Sequence, residues 1–164
     1  MKKSIVWMAS YPKSGNTWAR IFLANYIANA REPVPINNAH LVAMGDSITK
    51  TYRMVAGGPL DVTNIDQTLQ LRPRVLRGIV ANNADINLVK THNARVTARG
   101  VPLIPDSVTR SAVYILRNPL DMVLSYARHY GMTPEEAVST VSHPDNANPP
   151  DEETVTQFMG SWSE

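Results

Sequence analysis

The chain has 164 residues, 43% hydrophobic and 18% charged, a size and mixture expected of one domain (1–164) able to bury a core. Sixteen Lys and Arg against fourteen Asp and Glu leave a net charge of only +2, with no dense basic run, so no nucleic-acid partner is expected; scattered Arg suits a small anion better. The absence of cysteine excludes disulfides, thiolate metal sites and Cys nucleophiles.

Two lysines precede the apolar run Ser4 to Ser10, but the run is too short for a signal peptide, and Tyr11-Pro12-Lys13 follows at once. It reads as a buried parallel strand. No stretch is long enough to span a bilayer, so no membrane association and a cytoplasmic location are expected. From Asn16 to about Ala30 the pattern is helical, with Trp18, Ile21, Phe22, Ala24, Tyr26 and Ile27 on one broad face. The small polar loop Tyr11 to Gly15 lies between strand and helix. Residues 31–63 are broken up by Pro33, Pro35, Gly57, Gly58 and Pro59, and only short helical pieces or a loop facing an acceptor are expected there.

Asn64 to Leu71 predicts a helix, and Pro73 opens another to about Asn83. Ile86 to Thr91 predicts a second strand ending at His92. Arg95 to Ser107 reads as loop. Ser111 to Leu116 predicts the third strand. Asn118 as N-cap, Pro119 as first helical residue and Gly131 past the end bracket a helix to about Tyr130. Thr133 and Glu136 predict a capping box. After the polar loop His143 to Pro150, a last helical segment is expected from Asp151. Alternating strands and helices argue for an α/β fold with a central parallel sheet.

Three segments carry chemistry. In Ser10-Tyr11-Pro12-Lys13-Ser14-Gly15-Asn16-Thr17-Trp18, free N–H groups at a helix start and the helix dipole favour an anion. Gly15 permits close backbone approach, Lys13 adds a charge, and Ser14, Asn16 and Thr17 add donors. The bland alternative is an ordinary strand–helix turn with a solvated lysine. Arg117 ends the third strand and Ser125 lies about two turns into the next helix; they either converge on one anion or are a surface Arg and a Ser bonded back to its own helix. His92 sits at the carboxyl edge of the sheet, where ligands of open α/β folds bind, and is either a base or a satisfied structural residue.

The strings themselves are more specific. Tyr11-Pro12-Lys13-Ser14-Gly15-Asn16-Thr17-Trp18 resembles the 5'-phosphosulfate loop of the sulfotransferases that use 3'-phosphoadenosine 5'-phosphosulfate (PAPS), with Asn16 in place of the more usual Thr. Arg117-Asn118-Pro119-Leu120-Asp121 through Ser125-Tyr126 resembles the family's 3'-phosphate motif, and Lys90-Thr91-His92 its Lys-Thr-His segment. The resemblance implies a P-loop-NTPase-like three-layer fold. It implies PAPS as donor co-substrate and a small-molecule hydroxyl or amine as acceptor. Lys13 would contact the leaving phosphate, and Ser14, Gly15, Asn16 and Thr17 would wrap the 5'-phosphate. Trp18 would lie near the adenine unless it is a core residue of its helix. Arg117 and Ser125 would bind the 3'-phosphate. His92 would be the catalytic base, and Lys90 would neutralise the sulfuryl group. Asp121 is expected to be structural, pairing with an Arg.

No acidic cluster has metal-ligand spacing, and the scheme requires no metal. Family members are usually longer, with an Arg-Lys-Gly motif that does not follow here, so the domain is expected to be incomplete at its C-terminal side. A truncated, inactive fragment that holds PAP (the desulfated donor) or PAPS is therefore the alternative. A P-loop kinase or NTPase would need Gly-Lys-Ser/Thr in the loop and usually an Asp at a strand end, and has neither here. The stretches Arg31 to Pro59 and Arg95 to Ser107 are expected to shape the acceptor site. No pattern fixes the oligomeric state.

Overall fold

The computed structural model describes residues 4–29, 31–82 and 84–163. The expected ends of two helices at Ala30 and Asn83, and the leading Met1-Lys2-Lys3, lie outside the described residues. Strand β1 (Ser4–Ser10) leads into helix α1 (Asn16–Ala28). A 3-10 turn (Ile36–Leu41), the two-residue strand β2 (Met44–Gly45) and helix α2 (Thr49–Ala56) follow. Then come helix α3 (Ile65–Val80) and strand β3 (Ile86–Thr91). A small hairpin, β4 (Thr97–Ala98) with β5 (Val101–Pro102), precedes strand β6 (Thr109–Ile115). Helices α4 (Pro119–Tyr130) and α5 (Pro134–Val141) come next, then a last pair of two-residue strands, β7 (Ala147–Asn148) and β8 (Gln157–Phe158).

The main sheet is four-stranded in the order β2-β3-β1-β6, and every pairing in it is parallel. The chain steps from β1 over β3 to β2, then turns back to β3. Right-handed crossovers require those two steps to lie on opposite faces, which makes three layers. On one face, Ile5, Trp7 and Val89 pack with Tyr52 of α2 and Val75, Leu76 and Ile79 of α3. A second core joins Tyr11 to Met122, Tyr126 and Ala127 of α4, Ala137 and Val141 of α5, and Met159. Trp7, fully buried, donates through its indole N–H to Thr109 Oγ1 at 2.9 Å and ties β1 to β6. The α/β class and parallel sheet are as the sequence predicts. Among the described residues no helix is long and apolar enough to cross a membrane.

Several elements differ from expectation for physical reasons. The two helices expected around Pro73 are one, Ile65–Val80, with Pro73 inside. Proline deletes one helical hydrogen bond. The continuous buried row Leu69, Arg72, Val75, Leu76 and Ile79 outweighs that loss. No helix begins at Asp151. Its carboxylate accepts from the backbone N–H groups of Glu153 and Thr154 at 2.8 and 2.6 Å, the signature of an N-cap, but the turn it closes is followed by extended chain. Val155 is instead buried in the core, its N–H bonded to Ser47 O. The caps of α4 and α5 form as predicted. Asn118 accepts from Leu120 N–H, Gly131 ends α4 at φ 67°, and Thr133 and Glu136 make both bonds of the capping box. Asp121 forms no ion pair among the described residues, contrary to expectation.

The expected face of α1 is not a core face. Trp18, Phe22, Tyr26 and Ile27 are exposed, and the three aromatic rings stack along the helix with centroids 5.7 and 6.4 Å apart. Strand β6 forms the far rim of the sheet, with Val113 and Tyr114 each 55% exposed.

Candidate functional site

All three chemically promising segments leave the carboxyl edge of adjacent strands β3, β1 and β6. Register brings them level, with Ala9 opposite Thr91 and Ser10 opposite Ile115. After Ser10 the chain turns through Lys13 at φ 67° and Gly15 at φ 109° into α1. A left-handed lysine is costly and is held only where its surroundings dictate it. The turn leaves the first N–H groups of α1 with no side-chain cap, directed at whatever sits over the loop. Ser14 is buried, and its hydroxyl has no hydrogen-bond partner among the described residues. The left-handed turn suits the loop backbone to an anion above it, whereas the Ser14 hydroxyl is buried beneath.

A cavity of about 750 Å³ opens over this loop. It is lined by Lys13, Gly15, Asn16 and Thr17 of the loop, Lys90 and His92 of the β3 end, and Arg117 and Ser125 of the α4 side. Arg117 also donates to Lys13 O at 3.2 Å, joining the two phosphate-suited segments. Lys13, Lys90 and Arg117 take part in no ion pair among the described residues. Among the described residues the Ser125 hydroxyl makes no hydrogen bond back to its helix. The arrangement can hold a multiply charged anion by its backbone, by cations and by hydroxyls at once.

Trp18 and Ser14 do not line the cavity. Trp18 points outward, 72% exposed, so it is not a core residue. Asn16 lines the cavity but turns its amide inward, donating to Met8 O at 2.9 Å and Ser10 Oγ at 3.2 Å. Its side chain thus braces the loop from beneath.

His92 is the most constrained group of the site. Its Nδ1 lies 2.7 Å from Ser10 O. A carbonyl only accepts, so Nδ1 carries the proton and Nε2 keeps its lone pair. Burial, reinforced by the nearby Lys90 charge, lowers the pKa from 6.5 to about 4 despite the bond to Ser10. The ring is therefore neutral at pH 7, with the Nε2 lone pair unprotonated. Burial also lowers the pKa of Lys90, with a further push from Arg20.

Sequence reasoning passed over three features. Arg20, one turn into α1, is half-buried with its Nε unpartnered, and its charge bears on both Lys90 and His92. Its spacing from Asn16 was the available signal. Residues 148–157, expected as loop and helix, form the opposite wall of the cavity with Asn148, Glu153 and Gln157. The stretch Arg31 to Pro59 contributes nothing to that wall. Arg95 and Ile104 line a separate cavity of about 430 Å³ that meets the first at His92. Finally, Asp46 and Arg72, in segments with no motif, form a buried pair behind His92. Among the described residues no group of three or more His, Asp or Glu is placed to hold a metal ion.

The parallel sheet with its loop-to-helix turn at the carboxyl edge defines a P-loop-like α/β protein. The family model described as the sulfotransferase domain matches residues 3–163, so the chain belongs to that family and is a sulfotransferase. No curated protein matched the chain in sequence.

Proposed function

We propose that this sulfotransferase takes its sulfuryl group from PAPS and passes it to a hydroxyl or amine of a small-molecule acceptor, with His92 as base. The observation that carries this reading is the state of His92. The ring is neutral, fixed as the Nδ1–H form by Ser10 O, and shares one cavity with three cations that form no ion pair among the described residues. A base for an acceptor hydroxyl needs such a free Nε2 beside a site that gathers anionic charge.

In the proposed step the acceptor oxygen or nitrogen attacks sulfur in line. The new bond to sulfur forms as the sulfur–oxygen bond to the 5'-phosphate breaks, and the acceptor proton passes to His92 Nε2. PAP leaves with the extra negative charge on its phosphate. Lys13 and the N–H groups at the start of α1 stabilise that charge, while Lys90 faces the sulfuryl oxygens. Ser14 to Thr17 hold the 5'-phosphate by their backbone N–H groups, with the Thr17 hydroxyl as a further donor. Arg117 and Ser125 take the 3'-phosphate, the group that separates PAPS from ATP. The outer face of Trp18 is open for the adenine.

Titration of PAP by calorimetry, with ADP as control, tests the donor assignment. PAP should bind saturably and ADP should not match it. Loss of a charged hydrogen-bonding partner in Arg117→Ala should weaken PAP by about tenfold or more, from ~1.5–3 kcal/mol. Equal affinity for PAP and ADP, or no effect of Arg117→Ala, would sink the 3'-phosphate reading.

A further inference from the structure

The residues on either side of His92 are bound to a single carboxylate. Asp46 follows β2 and is almost completely buried. Its Oδ2 accepts from Thr91 Oγ1 at 2.8 Å and from Asn93 Nδ2 at 3.1 Å. Its own backbone N–H donates to Lys90 O at 3.1 Å. Residues 90, 91 and 93 are thus each tied to Asp46, while His92 between them turns the other way, onto Ser10 O. Lys90 and His92 face the cavity over the anion loop, and Thr91 and Asn93 face Asp46, as the two-residue alternation of extended chain requires.

Arg72 of α3 completes the assembly. Its NH2 meets Asp46 Oδ2 at 2.6 Å, and its Nε and NH2 both donate to Leu103 O. Burial works against the Asp46 charge, but the Arg72 guanidinium and the bonds from Arg72, Thr91 and Ser47 outweigh it and hold the carboxyl below its ordinary pKa. A buried carboxylate needs donors for its remaining lone pairs besides the Arg72 guanidinium. Replacing such a pair with apolar residues is often neutral, so its presence alone is weak evidence for a stabilising role. Here the additional donors come from the two neighbours of one histidine.

We propose that Asp46 is a positioning residue for His92, holding the end of β3 through Thr91 and Asn93 so that the imidazole stays on Ser10 O with Nε2 toward the donor cavity. In the familiar arrangement a carboxylate binds the imidazole itself. Here a backbone carbonyl occupies Nδ1, and the carboxylate acts one residue to either side. The role assigned to the ring rests on His92 being the base; the claim that the clamp fixes the ring does not.

The test is histidine-ring NMR on 15N-histidine-labelled protein, with His92→Gln to assign the signal, alongside PAP titration. Asp46→Asn removes the charge and keeps the shape. Thr91→Val removes the tether to Asp46 and the acceptor of the Asn93 N–H, leaves the Arg72–Asp46 pair intact and guards against misfolding of the first variant. Thr91→Ser restores the hydroxyl. Wild type should show one protonated and one unprotonated ring nitrogen for His92, well separated. Thr91→Val should lose that separation as the tautomers mix, with PAP affinity unchanged, and Thr91→Ser should recover it. A merely structural tether would lower the melting temperature and leave the ring signals alone. Wild-type ring signals in folded Thr91→Val overturn the proposal. Failure of wild type to bind PAP would strike the donor reading instead, and the ring comparison would still decide this one.

Discussion

Acid should destabilise this protein through His92, over a defined range of pH. The folded pKa of about 4 lies below the ordinary 6.5, so between those values the unfolded chain binds a proton that the folded chain refuses. Stability from the neutral ring is therefore fully present above pH 6.5 and lost as pH falls toward 4. At about 1.4 kcal/mol per pKa unit, the whole loss is about 3 kcal/mol, a large share of the stability of an ordinary domain. Urea unfolding at a series of pH values between 7.5 and 4 would measure it (~1.4 kcal/mol per pH unit at the steepest). His92→Gln has no ring to protonate and should lack this component. Asp46 contributes in a lower range, since its depressed pKa keeps it ionised until stronger acid, and both proteins share that loss. Parallel pH profiles for wild type and His92→Gln would refute the argument that burial and Lys90 hold the ring neutral.

Asp46→Ala should cost about 3–5 kcal/mol in urea unfolding, because it strands the Arg72 charge in the core; replacing both residues together by Leu and Met should recover most of the loss. Gly15→Ala meets no side-chain obstacle, the nearest atom being Ile115 Cγ2 at 4.0 Å, so its effect comes from φ 109° alone. It should cost ~1–3 kcal/mol of local strain and appear as weaker PAP binding in calorimetry. Thr133→Ala opens the capping box of α5 and should lower stability by about 1 kcal/mol, seen as a fall in Tm of roughly 2–4 °C with PAP binding unchanged.

Local chemistry was readable where one residue decides the outcome. Asn118, Pro119, Gly131 and the Thr133–Glu136 pair act on backbone groups within a turn of themselves, and each does what its side chain dictates. The cavity also brings Lys13, Lys90, His92, Arg117 and Ser125 together because strand ends in a parallel sheet share one edge. Readings failed where distant contacts decide. Pro73 stays inside a helix because Leu69, Arg72, Val75, Leu76 and Ile79 bury one face of it. Asp151 caps a turn and no helix, because Val155 is drawn into the core by Ser47. Asp46 and Arg72 lie far apart in sequence and carry no motif, so nothing local marks them as a pair. The amide of Asn16 looked like a ligand donor, yet Met8 O and Ser10 Oγ claim it from below.

The two rims of the sheet are unequal. At one side β2 offers two residues, too few to guide another chain. At the other, β6 runs for seven residues with Val113 and Tyr114 open to solvent. Among the described residues no strand pairs with the outer edge of β6, and such an edge forms a template with direction and register already set. Growth of the sheet is accordingly one-sided, and any strand that adds to it must lie beside the segment that ends in Arg117. A strand settling there would sit next to the cavity lined by Lys13, His92 and Arg117.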